Sequence, residues 1–426
     1  MRAWRGGMGA FGGSALAVAV FALFVAGLSL SFVGAGCGLP SPAAGGGTGD
    51  SATASAAPTT FAATRSSVQA APPTSQAQAP AAHATLVFGG DLLMHVPLGD
   101  SVLDSTTGHY DFSRIFAPIS PYLAEGDLAA ADLETVLGGA DLGYSGYPRM
   151  NASADLAGEL AESGFGLVST ATNHSLDQGW DGLVATVNAL DAAGLAHVGS
   201  YRSADERTTP LVRDVAGIQV AFLAYAEWLN GLPLPNGRPY AVSMLERSQV
   251  KDDVRRARAA GAEVLVAQVH WGSEYMRQPS RAQREAARML IEEGVDVIVG
   301  SHPHVVQPIV PVTVDRGGRP FTGYVAYSLG NLVSTQVWRY SDSGLFLYVD
   351  IERNALGARV AGLRYLPVYV QRGWEDGRRA YRVVPASLDT APTWSPAPTE
   401  ANRRRMAQVG KELDLLLGGQ VGVTAR

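Results

Sequence analysis

Residues 301–308 read Ser-His-Pro-His-Val-Val-Gln-Pro and follow directly on Gly-Val-Asp-Val-Ile-Val-Gly, so two histidines stand one residue apart where a buried strand is expected to end. The chain has only eight histidines. Alternate residues of an extended chain point the same way, so a His-x-His pair can clasp one ion or reach two. The same arrangement recurs along the sequence. Asp91 closes Ala-Thr-Leu-Val-Phe-Gly-Gly-Asp, and Glu134 closes Asp-Leu-Ala-Ala-Ala-Asp-Leu-Glu. Asn173 and His174 follow Gly-Phe-Gly-Leu-Val-Ser-Thr-Ala-Thr, and His270 follows Glu-Val-Leu-Val-Ala-Gln-Val. Imidazole suits Zn, Mn or Fe, and a carboxylate can bridge two cations. Mixed nitrogen and oxygen donors therefore point to an open two-metal site rather than a closed structural zinc, and no cysteine follows Cys37. Two divalent ions about 3.5–4 Å apart would activate a water and stabilise the charge that develops in hydrolysis. A lone histidine at a strand end is more often structural, and His83, His109 and His197 are read that way.

The elements that must position these side chains follow from the same runs. Between the apolar segments lie helical patterns at residues 154–163, 182–193, 249–260 and 281–293. Strands alternating with helices imply βαβ units and largely parallel pairing. Residues 308–352 read as consecutive strands with Gly turns, which favours an antiparallel addition or a second sheet. The expected fold is α/β, a layered α/β sandwich. In such folds the loops at the carboxyl ends of parallel strands gather along one edge and form the ligand crevice. Asp91, Glu134, Asn173, His174, His270, His302 and His304 all fall at such ends although they span more than 200 positions.

The domain plan is set by composition. Residues 1–37 carry early positive charge, an almost wholly apolar stretch at 14–33 and the lone Cys37, and read as a signal peptide or membrane anchor. The cysteine resembles the lipid acceptor of a bacterial lipoprotein signal, although Gly34 stands where an aliphatic residue is usual. Residues 38–83, rich in Ala, Ser, Pro, Thr and Gly, read as a disordered linker. Residues 84–390 form the folded domain, and 391–426 a tail of helical spacing. Each reading of the N-terminus, as lipoprotein, anchor or secretion signal, puts the rest of the chain outside the cytoplasm. With 46% hydrophobic and 17% charged residues the 426-residue chain can bury a large core, and its net charge of −6 argues against a nucleic-acid partner. No internal repeat is evident.

Six motifs in order, GGDLLMH, ADLE, TATNHSLDQGWDGL, VHWGSEY, GSHPHVVQP and YSLGN, resemble the CapA/PgsA family of poly-γ-glutamate capsule biosynthesis proteins, of the calcineurin-like metallophosphoesterase superfamily. The resemblance covers about residues 85–350 and implies that superfamily's α/β sandwich. It implies that Asp91 and His304 serve one ion and Asn173, His270 and His302 the other, with Glu134 bridging and His174 acting catalytically beside them. This sequence departs from the family at three places. The usual Asp-x-His motif has Leu93 in place of its histidine, Asp132 stands where an Asn is usual, and Ser301 replaces the first His of His-His-Pro-His. His95 is the candidate to replace the missing histidine, against the alternative of an ordinary loop residue.

Lesser candidates surround this set. Trp271, Glu274 and Tyr275 are candidates to line a substrate groove, and Arg149 and Arg277 to bind carboxylates of an anionic polymer such as poly-γ-glutamate. Asn331 reads as a turn-stabilising residue. Asp177 is placed to hold the His174 imidazole for proton transfer. Two classes of function follow: an extracytoplasmic metal-dependent hydrolase of a phosphoester or γ-glutamyl amide, with two Mn, Fe or Zn ions, or a membrane-associated accessory of polymer synthase subunits whose metal site is structural or vestigial.

Overall fold

The computed structural model describes residues 81–386, 394–420 and 423–425. The signal segment, Cys37 and nearly all of the linker lie outside the described residues, among which no helix is long and apolar enough to cross a membrane. The strands are β1 (Ala82–Leu92), β2 (Leu128–Leu133), β3 (Leu167–Ser169), β4 (Ala196–Val198), β5 (Leu211–Val215), β6 (Ile218–Ala226), β7 (Val264–His270), β8 (Val297–Ser301), β9 (Ile309–Asp315), β10 (Pro320–Ala326), β11 (Asn331–Val333), β12 (Ser343–Asn354), β13 (Gly357–Glu375), β14 (Arg378–Pro385) and β15 (Val423–Ala425).

They build two sheets. The nine-stranded sheet runs β14-β13-β12-β1-β2-β3-β4, with β11 on β1 and β15 on β13, and the six-stranded sheet runs β5-β6-β7-β8-β10-β9. The strands that end in polar residues, β1, β2 and β3 in one sheet and β7 and β8 in the other, are paired in parallel, so their carboxyl ends share one edge of each sheet. Residues 308–352 divide between the two: β9 and β10 close the second sheet as an antiparallel pair, whereas β12 lies antiparallel to β1.

Burial explains the layering. Leu86 and Phe88 of β1 face Val220 and Phe222 of β6 and Val264 and Val266 of β7 in one apolar core between the sheets. Val87, the alternate residue, turns outward to Leu156 and Leu160 of the helix Asp155–Ser163. On the other side Leu265 and Val269 pack against Leu290 and Ile291 of the helix Arg281–Glu293. Period-2 alternation in strands buried on both faces thus yields helix, sheet, sheet and helix in succession, the expected α/β sandwich. The four expected helices form at Asp155–Ser163, Gly179–Ala192, Arg247–Ala259 and Arg281–Glu293. In the C-terminal region the helix Glu400–Leu417 packs Met406, Val409 and Leu413 into the core between the sheets.

Two glycines let backbones approach where the polar residues emerge. A Cβ on Gly90 would lie 1.8 Å from the Gly330 carbonyl oxygen, and one on Gly300 2.0 Å from that of Tyr327. The first contact allows Asp91 N–H to donate to Gly330 O at 3.0 Å and sets Asp91 beside Asn331 in the β1–β11 register.

Candidate metal centre

Asp91 ends the straight part of β1, Glu134 follows β2, Asn173 and His174 follow β3, His270 ends β7, and His302 and His304 follow β8. All seven are buried, and Asp91 and Glu134 are no more than 1% exposed. They form one contiguous cluster. His304 Nδ1 lies 3.1 Å from Asp91 Oδ2 and 3.7 Å from Glu134 Oε2. His270 Nε2 lies 2.9 Å from Asn173 Oδ1, 3.2 Å from His302 Nδ1 and 3.5 Å from Glu134 Oε1. Asn173 Nδ2 donates to Asn230 Oδ1 at 3.2 Å, which leaves Asn173 Oδ1 as the inward atom. Glu134 therefore stands between two donor sets, with one carboxylate oxygen toward each.

Alternation along an extended chain does not produce the His-x-His geometry. His302 and His304 both take left-handed backbone conformations, φ 91° and 58°, which non-glycine residues adopt at an expense on the order of 1–3 kcal/mol each. Surrounding contacts hold the turn: His302 N–H lies 3.3 Å from both Asp91 carboxylate oxygens, and Pro303 O accepts from Tyr275 N at 2.8 Å. The Trp228 ring packs edge-on to His302 with centroids 4.7 Å apart. Trp228 and Asn230 were not among the expected residues; they follow β6, a strand the sequence reading omitted.

The donor set fits a divalent cation. Both Glu134 carboxylate oxygens are buried without a hydrogen-bond partner, as is Asp132 Oδ1. Burial opposes charge on the histidines, yet Asp132 and Glu134 push His270 up to about 10, and Glu134 and Asp91 push His304 up to about 9. Burial in turn pushes Asp91 up to about 6, against the pull of His304. Glu134 is held below the usual carboxylate range by His304 and His270 in spite of its burial. The cluster thus demands positive charge, which either extra protons on imidazole or cations can supply, and cation binding at such sites releases those protons.

Asp132 has a different place from the other carboxylates. Its Oδ2 lies 2.9 Å from His270 Nδ1, on the ring edge opposite Nε2, and Ser301 Oγ approaches the same Nδ1 at 3.2 Å. Asp91, Asp132 and His270 do bring donor atoms within 4.8 Å of one another, as do Glu134, His302 and His304, because the cluster is compact. One ring nitrogen cannot serve both Asp132 and the Asn173 side, so Asp132 orients the His270 ring from the edge opposite Nε2.

His174 lies at the border of the cluster. Its Nδ1 is 2.5 Å from Asp177 Oδ2 and its Nε2 4.0 Å from Glu134 Oε1. Asp177 Oδ2 also accepts from Met150 N at 2.7 Å, which fixes the dyad. His95 is set beside the cluster, its Nδ1 accepting from Thr335 N at 3.3 Å, and burial pulls it down to about 4. Among the described residues no donor of the cluster lies within hydrogen-bonding distance of it.

The outer candidates separate. Tyr275 is partly exposed with its ring 6.0 Å from His304 and its hydroxyl accepting from Gln336 Nε2 at 3.2 Å, so it borders the site. Glu274 is exposed beside it. Arg149 is exposed and donates to Asp177 O at 3.2 Å, behind the His174 dyad. Trp271 is not a groove residue. It is fully buried, stacks on Tyr327 and donates from Nε1 to Tyr327 O at 2.9 Å, because the residue after His270 points to the opposite face of the sheet. Arg277 lies over the Tyr340 ring at 4.0 Å and reaches Glu412 O of the C-terminal helix rather than the crevice. Asn331 is not a turn residue either: its Oδ1 lies 3.0 Å from His304 Nδ1.

Comparison with known proteins agrees with the motifs. The chain is 27% identical over 326 residues to the capsule biosynthesis protein CapA of Bacillus anthracis, covering 73% of this chain and 75% of that protein. It is 30% identical over 208 residues to the PGA biosynthesis protein CapA of Bacillus subtilis (strain 168), covering 46% of this chain and 50% of that one. Among solved structures, the calcineurin-like phosphoesterase YfkN from Bacillus subtilis superimposes with a TM-score of 0.41 at 13% identity, over 78% of this chain and 98% of that chain. Residues 85–336, more than half of the sequence, match the family described as bacterial capsule synthesis protein PGA_cap, and the chain belongs to that family.

Proposed function

We propose that this chain acts in poly-γ-glutamate capsule synthesis as a metal-dependent hydrolase of a phosphoester or a γ-glutamyl amide. The capsule part rests on the family and on its CapA relatives. The hydrolase part rests on Glu134, a buried carboxylate with both oxygens free of hydrogen bonds and one turned to each donor set. Asp91 and His304 with Glu134 Oε2 would hold one divalent ion, and Asn173, His270 and His302 with Glu134 Oε1 the other. When bound, such a pair supplies Lewis acidity and lowers the pKa of water. The chain's own residues do the rest. Asp132 fixes the His270 ring, and Asp177 accepts from His174 Nδ1–H. His174 Nε2, on the Glu134 side, is then the atom that gives a proton to a leaving group.

On the same reading the chain works outside the cytoplasm, held at the membrane by lipid on Cys37 or by the apolar segment 14–33, and meets an anionic polymer and the subunits that synthesise it. Labelling cells with a radioactive fatty acid should mark the wild type and not Cys37→Ser; equal labelling of both removes the lipoprotein route. For the chemistry, purified full-length protein is assayed against phosphodiesters and γ-glutamyl peptides with Mn, Fe or Zn added. Metal-dependent turnover that disappears in His302→Ala supports the hydrolase. Metal binding without turnover on any of these substrates supports the accessory reading, which the missing histidine at Leu93 favours unless another side chain supplies that donor.

A further inference from the structure

Resting on that two-ion reading, we propose that Asn331 supplies the first-site donor that the sequence lacks at Leu93, so that the Asp91–His304 site is complete. Three observations converge on the Asn331 side chain. It is wholly buried, and its amide nitrogen is committed, donating to Ser341 O at 2.8 Å and Gln336 Oε1 at 3.0 Å. The orientation of the amide is therefore fixed, and Oδ1 is the atom turned to the cluster, 3.0 Å from His304 Nδ1. His304 Nδ1 is also the atom that approaches Asp91 Oδ2 at 3.1 Å and the bridging Glu134 Oε2 at 3.7 Å. The ring edge that faces Asn331 is thus the edge that faces the other first-site donors, and the Asn331 oxygen lies on their side of the imidazole.

The backbone accounts for this placement. Strand β11 runs parallel to the end of β1 with Asp91 opposite Asn331, and Leu93 N–H donates to Val333 O at 3.0 Å. Where the Asp-x-His motif would provide a second donor two residues after the aspartate, this fold lays a neighbouring strand whose first residue already stands beside Asp91. Leu93 itself is 3% exposed and apolar, consistent with a position relieved of ligand duty. A neutral amide oxygen is an ordinary ligand for hard and borderline cations.

Mn(II) binding to the full-length protein, by equilibrium dialysis together with the EPR signature of paired against isolated Mn(II), tests the assignment. The wild type should take two equivalents with a spin-coupled signal. Asn331→Leu, close in size but without the donor oxygen, should keep one equivalent at the Asn173–His270–His302 set and show an uncoupled signal. Asn331→Asp retains the oxygen and replaces the amide donor by an acceptor facing Gln336 and Ser341. It should hold two ions if Asn331 is a ligand, and fail as Asn331→Leu does if Asn331 only braces the loop. Two coupled ions in Asn331→Leu, or loss of the second ion in both variants, overturns the assignment alone. A wild type that binds no Mn(II) overturns the two-ion reading and the assignment with it.

Discussion

His270 Nδ1 lies 2.9 Å from Asp132 Oδ2, although the two residues are 138 positions apart and belong to different sheets. The contact fixes the ring: with Nδ1–H given to the carboxylate, Nε2, which faces Asn173 Oδ1 and Glu134 Oε1, is the nitrogen whose lone pair becomes available when a cation displaces its proton. Outer contacts of this kind are worth about 10–100-fold in metal affinity. Asp132→Ala should therefore weaken Mn(II) binding by about that factor. Asp132→Asn, which keeps an oxygen for Nδ1–H, should weaken it less. Titration calorimetry decides, and equal affinity in wild type and Asp132→Ala would remove the orienting role.

The His174–Asp177 dyad should separate catalysis from metal binding. His174 is held through Nδ1 by Asp177 and presents Nε2 toward Glu134 from the border of the two donor sets. His174→Ala should keep its Mn(II) and fold while turnover falls at least about a hundredfold, the usual worth of a positioned proton donor. Asp177→Asn should shift turnover in the same direction by less. Loss of metal in His174→Ala, as in His302→Ala, would make His174 a ligand or its support, and unchanged turnover would end its role as an acid.

Trp271 should report on stability and not on the site. Its Nε1–H meets the Tyr327 carbonyl beneath the helices that cover the second sheet, and Gly300 passes close to both groups, a Cβ there falling 2.6 Å from Trp271 Nε1. Trp271→Phe keeps a ring against Tyr327 but leaves that buried carbonyl unpaired, a loss of about 1–3 kcal/mol. Denaturant unfolding should show it, with Mn(II) stoichiometry unchanged. A variant of full stability and altered substrate KM would restore Trp271 to the groove.

The seven inner positions were legible because strands buried on both faces read as unbroken apolar runs, and their ends mark the crevice. The α/β layering followed from the same runs. What the sequence hid depends on pairing in space. Asp132 reads as one more residue of its strand until His270 arrives from the other sheet, and Asn331 as a turn residue until β11 is laid beside β1. Trp271 was misplaced although the needed signal was present: if His270 faces the crevice, the period of two sends its neighbour to the opposite face. The left-handed turns at His302 and His304 have no signature in residue type, since histidine carries no preference that rivals glycine's.

Acid should expose one of the ties within the nine-stranded sheet. Asp350 on β12 accepts from Arg364 Nε and Nη2 at 2.9 Å each and from Thr85 Oγ1 at 2.8 Å, so one carboxylate joins β1, β12 and β13. The Arg364 hydrogen bonds hold its carboxyl below the usual value against a partial burial, and Thr85 adds to the effect. A carboxyl whose pKa is lower in the folded chain than in the unfolded one stabilises the fold at pH above the unfolded value. That contribution disappears as pH falls through the folded value. Asp350→Asn should therefore be less stable than wild type near neutrality, by about 1 kcal/mol or less, because the pair is partly solvated. The gap should close as pH falls through the folded value, where the wild-type side chain becomes a neutral acid much like the amide. Urea unfolding of both proteins across this range measures it; a deficit that stays constant from neutrality to acid would show that the Asp350 charge contributes nothing and that only its shape matters.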